Sequence, residues 1–330
     1  MAIDRLAPIL KDAIEARRGL LDAAHETAVR LFNGFTEGCP DLVVDLYGDT
    51  AVFHNYADPP EAGKHNIDIA WQAACEQLPW IRAGLVKERA SRADARRRGR
   101  PLNDKLLTSR VRENGLWYSI DLMLHQDCSL YLDTRNLRRW AKDFLGGTTV
   151  LNAFAYTGSL GVAALGGGAS RVLHVDRTRR FLDLARTSYS FNRFPIHRRD
   201  FVCADFFGES AGLRRRRQTF DCAFLDPPFF SLAPTGTVDQ EKQSARLINK
   251  IRPLVNKGGS LIAVNNAVYV SGAAYMHALE SLTSDGHVQI LDLIPIPADF
   301  VGFLTTQTAT PITDPTPFNH STKIAVLRVL

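Results

Sequence analysis

Long apolar runs are missing from this chain of 330 residues, so no membrane-spanning helix is expected. Its start, MAIDRLAPILKDAIEARR, is charged throughout and lacks the apolar core of a signal peptide. Cysteine is scarce: Cys39, Cys75, Cys128, Cys203 and Cys222 are scattered, with no C-x-x-C pair. An odd, sparse set argues for reduced thiols and against a disulfide frame or zinc site. The expectation is a cytoplasmic protein with no membrane partner and no metal. Repeats, low-complexity tracts and a P-loop are also absent. What is present is an ordinary globular balance, 45% hydrophobic and 23% charged. The length exceeds one ordinary core, so two domains are expected. The net charge of +5 favours an anionic partner. Two clusters supply much of it, KERASRADARRRGR at 87–100 and RRRR at 214–217. A solvated surface is the competing reading for each. The first, with seven basic residues in fourteen positions, is the stronger candidate for phosphate contact.

Residues 3–33 read as helix, with apolar positions among charges. DLVVDL, a turn at Tyr47-Gly48-Asp49 and TAVFHNY read as a hairpin. Ile67, Ala70, Trp71, Ala74, Cys75 and Leu78 repeat at helical spacing, with Cys75 packing on the apolar face. Strands are expected near 83–88 and at 106–112. Asn114-Gly115 then turns the chain into LWYSIDL. The expected organisation is an N-terminal helix over 1–27, a small α+β substrate-binding domain over 28–120, and a larger domain over 121–330. The larger domain alternates. Strands at 149–154, 171–175, 200–204, 220–225 and 260–265 are expected, with helices through 158–167, 178–192, 239–255 and 272–284. A short connection follows 204, and VQILDLIPI and KIAVLRVL complete the set. Such alternation implies an α/β fold with a mostly parallel sheet covered on both faces.

Ligands of open α/β sheets bind at the carboxyl ends of the strands. Here those ends carry Ala155-Tyr156-Thr157-Gly158-Ser159, then Asp176-Arg177, Asp205-Phe206, Asp226-Pro227-Pro228-Phe229 and Asn265-Asn266. One acid after a strand is commonly a helix cap; five convergent stretches, three with carboxylates, are harder to explain that way. A dinucleotide turn wants G-x-G-x-x-G, whereas this turn has only Gly158 and Gly161. The GGG at 166–168 follows the helix and suits a helix stop. An adenosyl ligand without a pyrophosphate fits better. Asp176 would accept from both ribose hydroxyls and Asp205 from the adenine amino group, with Phe206 against the ring. That layout suits S-adenosylmethionine, whose sulfonium cation favours an acid-lined site.

At these residues the chain resembles a known family. FAYTGSLGVAAL, HVD, ADFF and FLDPPFF look like the Rossmann-like class I methyltransferase domain of the large-subunit ribosomal RNA methyltransferases, the group that includes the cytosine-C5 enzymes. AVRLFNGFTEGCPDLVVDLYGD, VKERASRADARRR and ENGLWYSIDL are similar to that family's middle domain, and LYLDTRNLRRW to its segment before the catalytic domain. The resemblance covers about residue 28 to the end. It implies a seven-stranded sheet, S-adenosylmethionine as methyl donor with S-adenosylhomocysteine as product, and RNA, specifically ribosomal RNA, as partner. It further implies Tyr131, Asp133 and Arg135 near the cofactor, Thr157 and Gly158 under its amino-acid end, Asp176 on the ribose and Asp205 on the adenine.

Two departures matter. The family often carries an amino-terminal RNA-binding PUA domain, and about 27 residues are too few for one. Methylation of cytosine C5 needs a thiolate that adds at C6. Where the C5 members keep that cysteine, after the fifth strand, this chain has Asn265 and Asn266. Cys203 and Cys222 lie mid-strand, which leaves Cys128 as the one thiol to weigh for a relocated role. The Asp-Pro-Pro-Phe loop suits an exocyclic amino nitrogen instead. Asp226 and the Pro227 carbonyl would hold its N–H groups and turn the lone pair toward the methyl carbon. Prolines present only acceptors, Phe229 would stack on the base, and Asn266 would assist. The target base would be unpaired or flipped out. A proline-rich turn over a core strand is the bland alternative.

Phe318, Asn319 and His320 precede the last strand and would approach the target base, although a lone histidine there is more often structural. PADFVGF at 297–303 has no motif and is placed on a substrate-side loop. The sequence therefore points to an S-adenosylmethionine-dependent RNA methyltransferase, monomeric or homodimeric, acting on a guanine or adenine nitrogen. Cytosine-C5 methylation through a relocated thiol, a small-molecule or protein methyltransferase, and a non-catalytic RNA-binding module remain as alternatives.

Overall fold

The computed structural model describes residues 3–233 and 236–330, so residues 1–2 of the expected N-terminal helix lie outside the described residues. The chain divides into two compact units, 1–133 with 297–311, and 134–296 with 312–330. The division falls after Asp133 and not near 120. The segment 297–311 leaves the second unit and packs with the first.

The first unit contains α1 (Ile3–Ala16), β1 (Ala28–Asn33), α2 (Gly34–Glu37), β2 (Leu42–Tyr47), β3 (Thr50–Asn55), α3 (Lys64–Gln77), β4 (Ala83–Glu88), α4 (Asp94–Arg98), β5 (Arg100–Pro101), β6 (Arg110–Glu113) and β7 (Leu116–Ser119). Strands β1 to β5 form one sheet in sequence order. Only β3 and β4 are parallel, because the helix α3 carries the chain back between them. Leu6, Leu10, Ala13 and Ile14 of α1 share a core with Ile67, Ala70, Ala73 and Ala74 of α3 and with the apolar side of the sheet. Asn114 and Gly115 both have positive φ, 51° and 81°, the requirement of a two-residue turn between β6 and β7. The expected helix over 3–33 stops at Ala16, and 28–33 is strand. AVRLFN is too short and mixed in spacing to hold a helix by itself; it takes the conformation that pairing with β2 offers.

The second unit contains α5 (Arg135–Phe144), β8 (Thr149–Ala153), α6 (Ser159–Gly166), β9 (Arg171–Asp176), α7 (Arg179–Phe191), β10 (Phe201–Cys203), α8 (Phe206–Arg215), β11 (Phe220–Leu225), β12 (Phe230–Ala233), β13 (Gly236–Asp239), α9 (Ser244–Ile251), β14 (Val255–Asn265), α10 (Gly272–Ser284) and β15 (Val288–Leu293). The chain then passes through α11 (Ala298–Val301), in the first unit, before β16 (Lys323–Val329). The seven-stranded sheet runs β10-β9-β8-β11-β14-β16-β15. Its first five strands are parallel, and β16 is antiparallel to both neighbours. The strand order reverses between β8 and β11, the switch point where such sheets open a crevice.

Two elements differ from expectation here. The connection after residue 204 is a helix, α8, because Asp205 caps it. The helix expected over 239–255 is shortened to 244–251: Asp239 closes a hairpin, Pro253 interrupts the far end, and Lys257-Gly258-Gly259 forms a bulge within β14.

The segment 297–311 is strapped to the first unit by buried polar groups. Arg17 is fully buried and donates to both Glu37 oxygens at 3.0 Å and to the Asp299 carbonyl at 2.9 Å. Thr306 also bonds Glu37. Asn33 Nδ2 donates to the carbonyls of Phe300 and Val301, and the Arg30 guanidinium lies 3.6 Å from the Phe300 ring centre. PADFVGF is thus explained by packing.

Removing one partner of a buried ion pair strands the other. Arg17→Ala is expected to cost the first unit about 3–5 kcal/mol in urea unfolding. Arg97→Ala, at the exposed pair with Asp94, should change it by less than about 0.5 kcal/mol. In the second unit, burial holds the His174 imidazole at about 3, from an ordinary 6.5. The unfolded chain therefore binds the extra proton between those values, so stability should fall as pH drops from 6.5 toward 3. Urea midpoints at pH 7 and pH 5 should differ less for His174→Phe than for the native chain.

Candidate active site at the strand ends

The turn after β8 is tightly wound. Phe154, Tyr156 and Gly158 all have positive φ, 57°, 49° and 75°. Its two glycines have a reason unrelated to phosphate. A Cβ on Gly161 would lie 2.3 Å from His174 Cε1, and one on Gly158 2.6 Å from the Ala185 Cβ. The His174 ring lies directly beneath the turn, so only hydrogen fits there. That ring stacks on Phe201 and is bonded at both nitrogens, to Asn152 at 3.2 Å and the Tyr189 hydroxyl at 2.8 Å.

Asp176, at the end of β9, ties two strand ends together. Its Oδ2 accepts from Tyr156 N at 2.9 Å and its Oδ1 from Thr178 N at 2.8 Å. Burial raises its pKa, and the two N–H bonds oppose that rise. Ala155 and Thr157 are buried in the turn, and Ser159 opens α6. Arg177 is exposed and donates to the Leu232 carbonyl of β12 at 3.1 Å. Asp205, at the end of β10, accepts from Phe207 N and Gly208 N at 2.9 and 3.2 Å. Phe206 points into the core, 4.5 Å from the Phe154 ring.

At the end of β11, Asp226 is half-buried, Pro227 buried, and Pro228 and Phe229 exposed. The Pro227 carbonyl does not stand open as expected. Gln240 Nε2 donates to it, and Asn266 Nδ2 donates at 3.3 Å. A carbonyl has two lone pairs, so both are engaged. Gln240 is 1% exposed and serves both loops: its Oε1 accepts from Asn266 N at 3.0 Å, its N–H donates to the Phe229 carbonyl, and its own carbonyl accepts from Asn265 Nδ2. Beyond Asn266, the fully buried Lys323 ammonium donates to the carbonyls of Ala267 and Val270 at 3.0 Å and to that of Ser321. Burial lowers its pKa to about 8.

The sheet order therefore sets the ends of β10, β9, β8, β11 and β14 side by side, with three carboxylates among them. Tyr131 and Asp133 belong instead to the first unit, where the Tyr131 hydroxyl donates to Asp127 at 3.0 Å; Arg135 opens α5 in the second. Asn319 bonds both the N–H and the carbonyl of Ile296, and His320 Nδ1 accepts from Thr322 N, so both serve the local backbone. Sequence reading missed Gln240, Lys323 and His174. All three are polar residues inside otherwise ordinary segments, and only their burial marks them.

The basic segment 87–100 is largely spoken for. Lys87 donates to the carbonyls of Arg98 and His125, Arg89 pairs with Asp127, Arg96 with Glu61 and Glu88, and Arg97 and Arg98 with Asp94. In the 214–217 cluster only Arg216 forms an ion pair among the described residues, with Glu209. The stronger candidate for phosphate contact is thus the second cluster. Among the described residues no helix is long and apolar enough to cross a membrane, and no cluster of metal-ligating side chains occurs.

Comparison with known proteins places the chain in a family. Residues 82–292 match the family model described as S-adenosylmethionine-dependent methyltransferase. The chain is 27% identical over 293 residues to ribosomal RNA large subunit methyltransferase I of Photobacterium profundum, covering 87% of this chain and 71% of that protein. It is 29% identical over 265 residues to ribosomal RNA large subunit methyltransferase K/L of Alteromonas mediterranea, covering 78% of this chain but 37% of that one. Among solved structures, SMU.776, a candidate methyltransferase in complex with SAH, superposes with a TM-score of 0.85 at 23% identity, over 100% of this chain and 82% of that one. That last likeness speaks for the fold. The family match spans well over half of the chain, and it settles membership: the chain belongs to the S-adenosylmethionine-dependent methyltransferases.

Proposed function

We propose that this methyltransferase acts on RNA, of the large ribosomal subunit, and places the methyl group on a base nitrogen. The observation that carries the choice of nitrogen is the Asp226-Pro227-Pro228-Phe229 loop at the switch point, faced across β14 by two asparagines and by no thiol. The RNA substrate is taken from the names of the curated relatives.

The donor set suits an adenosyl sulfonium. Carboxylates end three parallel strands, which favours a cation and hydroxyl donors, and the first turn offers no glycine-rich nest for a pyrophosphate. Asp176 would hold the ribose and Asp205 the adenine amino group. Ala155, Tyr156, Thr157, Gly158 and Ser159 would line the amino-acid end, with Arg177 and Arg135 completing the set. Phe206, expected against the adenine ring, instead packs its buried ring on Phe154 and Phe207. When bound, S-adenosylmethionine supplies an electrophilic methyl carbon and leaves as S-adenosylhomocysteine.

The protein's task at the acceptor is orientation. Asp226 accepts an N–H from the target nitrogen, aims its lone pair, and takes the proton released as the nitrogen–carbon bond forms. Phe229, 44% exposed, stacks on the base.

The buried thiols Cys128 and Cys222 argue against a covalent route of cytosine-C5 methylation through either of them. Burial pushes the Cys128 thiol up to about 12 and raises that of Cys222 as well. Neither supplies a thiolate near neutral pH. Asp226→Ala is expected to abolish transfer to RNA from cells lacking the gene, while calorimetry shows S-adenosylmethionine binding largely intact; equal loss of both would move Asp226 into the cofactor site. Cys128→Ala should retain full transfer in the same assay, and its inactivity would restore the thiol mechanism.

A further inference from the structure

The network around Pro227 identifies the acceptor's second anchor. The Pro227 oxygen can only accept, so the Asn266 amide must present its NH2 group there. The amide cannot flip without placing two oxygens together. Its Oδ1 therefore faces the other way, and that oxygen is buried and receives no hydrogen bond among the described residues. A buried carbonyl oxygen without a donor costs free energy. Nearly every other polar group of the network is spent: Gln240 uses its amide nitrogen on Pro227 and its amide oxygen on Asn266 N, and Asn265 uses its amide on Gln240, Ser244 and Ala267 N.

We propose that Asn266 Oδ1 is the second acceptor for the target nitrogen, paired with the Asp226 carboxylate, and that Gln240 is the positioning residue that commits it to this role. The inference rests on the base-nitrogen reading and narrows it. Two acceptors at one nitrogen require two N–H bonds, so the substrate is a primary exocyclic amine and not a ring nitrogen. Asn266 accepts one N–H throughout the transfer; Asp226 accepts the other and keeps that proton as the new bond forms. Gln240 touches no substrate. By filling one lone pair of Pro227 and holding Asn266 N, it fixes the direction in which Oδ1 points.

Single-turnover methyl transfer to RNA from cells lacking the gene tests this, with calorimetric S-adenosylmethionine affinity and thermal midpoint as companion readouts. Asn266→Ala should slow transfer about 100-fold, the loss that misplacement by about 1 Å produces, with cofactor affinity within about twofold of native. Gln240→Leu should slow transfer similarly. The double variant should be no slower than Asn266→Ala alone, because Gln240 acts through Asn266. Native transfer rates in Asn266→Ala, or losses that multiply in the double variant, overturn the proposal. Where Gln240→Leu melts too low to assay, Asn266→Ala alone decides. Mass mapping of the product separates two failures. A methylated carbon with an active Asp226→Ala enzyme defeats the underlying reading; a methylated ring nitrogen, or a methylated amine with Asp226 essential and Asn266 dispensable, defeats only this inference.

Discussion

Parallel pairing of β8 with β9 on one side and β11 on the other is the constraint from which the rest follows. Parallel neighbours must point the same way, so each crossover returns the chain to the opposite edge before the next strand begins. Every strand of the set then delivers its carboxyl end to one line. The chain moves outward from β8 through β9 to β10, then resumes at β11 beyond β8. That reversal sets the Asp226 loop next to the turn after β8 although some seventy residues separate them in sequence. The hydrogen bond from Tyr156 N to Asp176 then locks the first two strand ends together.

The floor of the crevice shows why a glycine pattern misleads when read alone. Gly158 and Gly161 look like remnants of a dinucleotide turn. Both are enforced by packing from below: the His174 ring leaves no room for a Cβ at Gly161, and the Ala185 Cβ leaves none at Gly158. A buried histidine bonded to Asn152 and Tyr189 stays neutral, so it supports the turn without adding charge to the site. The turn's shape thus comes from core packing, and the absence of a phosphate nest follows from it.

The parallel strands were legible because strands buried on both faces read as nearly unbroken apolar runs, and FDCAFL and SLIAVN stand out for that reason. The acids at their ends were legible because they break those runs. Partners distant in sequence were not. Gln240 meets Pro227 across 13 positions, Lys323 meets Ala267 across 56, and Arg17 meets Asp299 across 282. No periodicity encodes such meetings. The Pro227 carbonyl looks open in sequence, and only the fold brings Gln240 to it. The basic segment 87–100 misled in a related way, since charge counts cannot show that Asp94, Glu61, Glu88 and Asp127 lie within reach. Residues 28–33 were misread because a short mixed segment is decided by its neighbour.

How the acids are held decides whether they act on a ligand. A carboxylate paired with arginine is neutralised, as Asp94 is by Arg98. A carboxylate held by backbone N–H groups is oriented and stabilised but keeps its full negative charge, because the donors are dipoles. Asp176 and Asp205 are both held in this second way. For Asp176 the N–H bonds outweigh the influence of nearby Arg177, while burial pushes against the charged form. A cation arriving at the strand ends relieves that burial cost. Lys323 is the complement: an ammonium enclosed by carbonyls, with its charge spent on fixing the loop that carries Asn266. The crevice therefore keeps negative charge where a sulfonium nucleoside would lie, and the buried Lys323 ammonium is satisfied by backbone carbonyls.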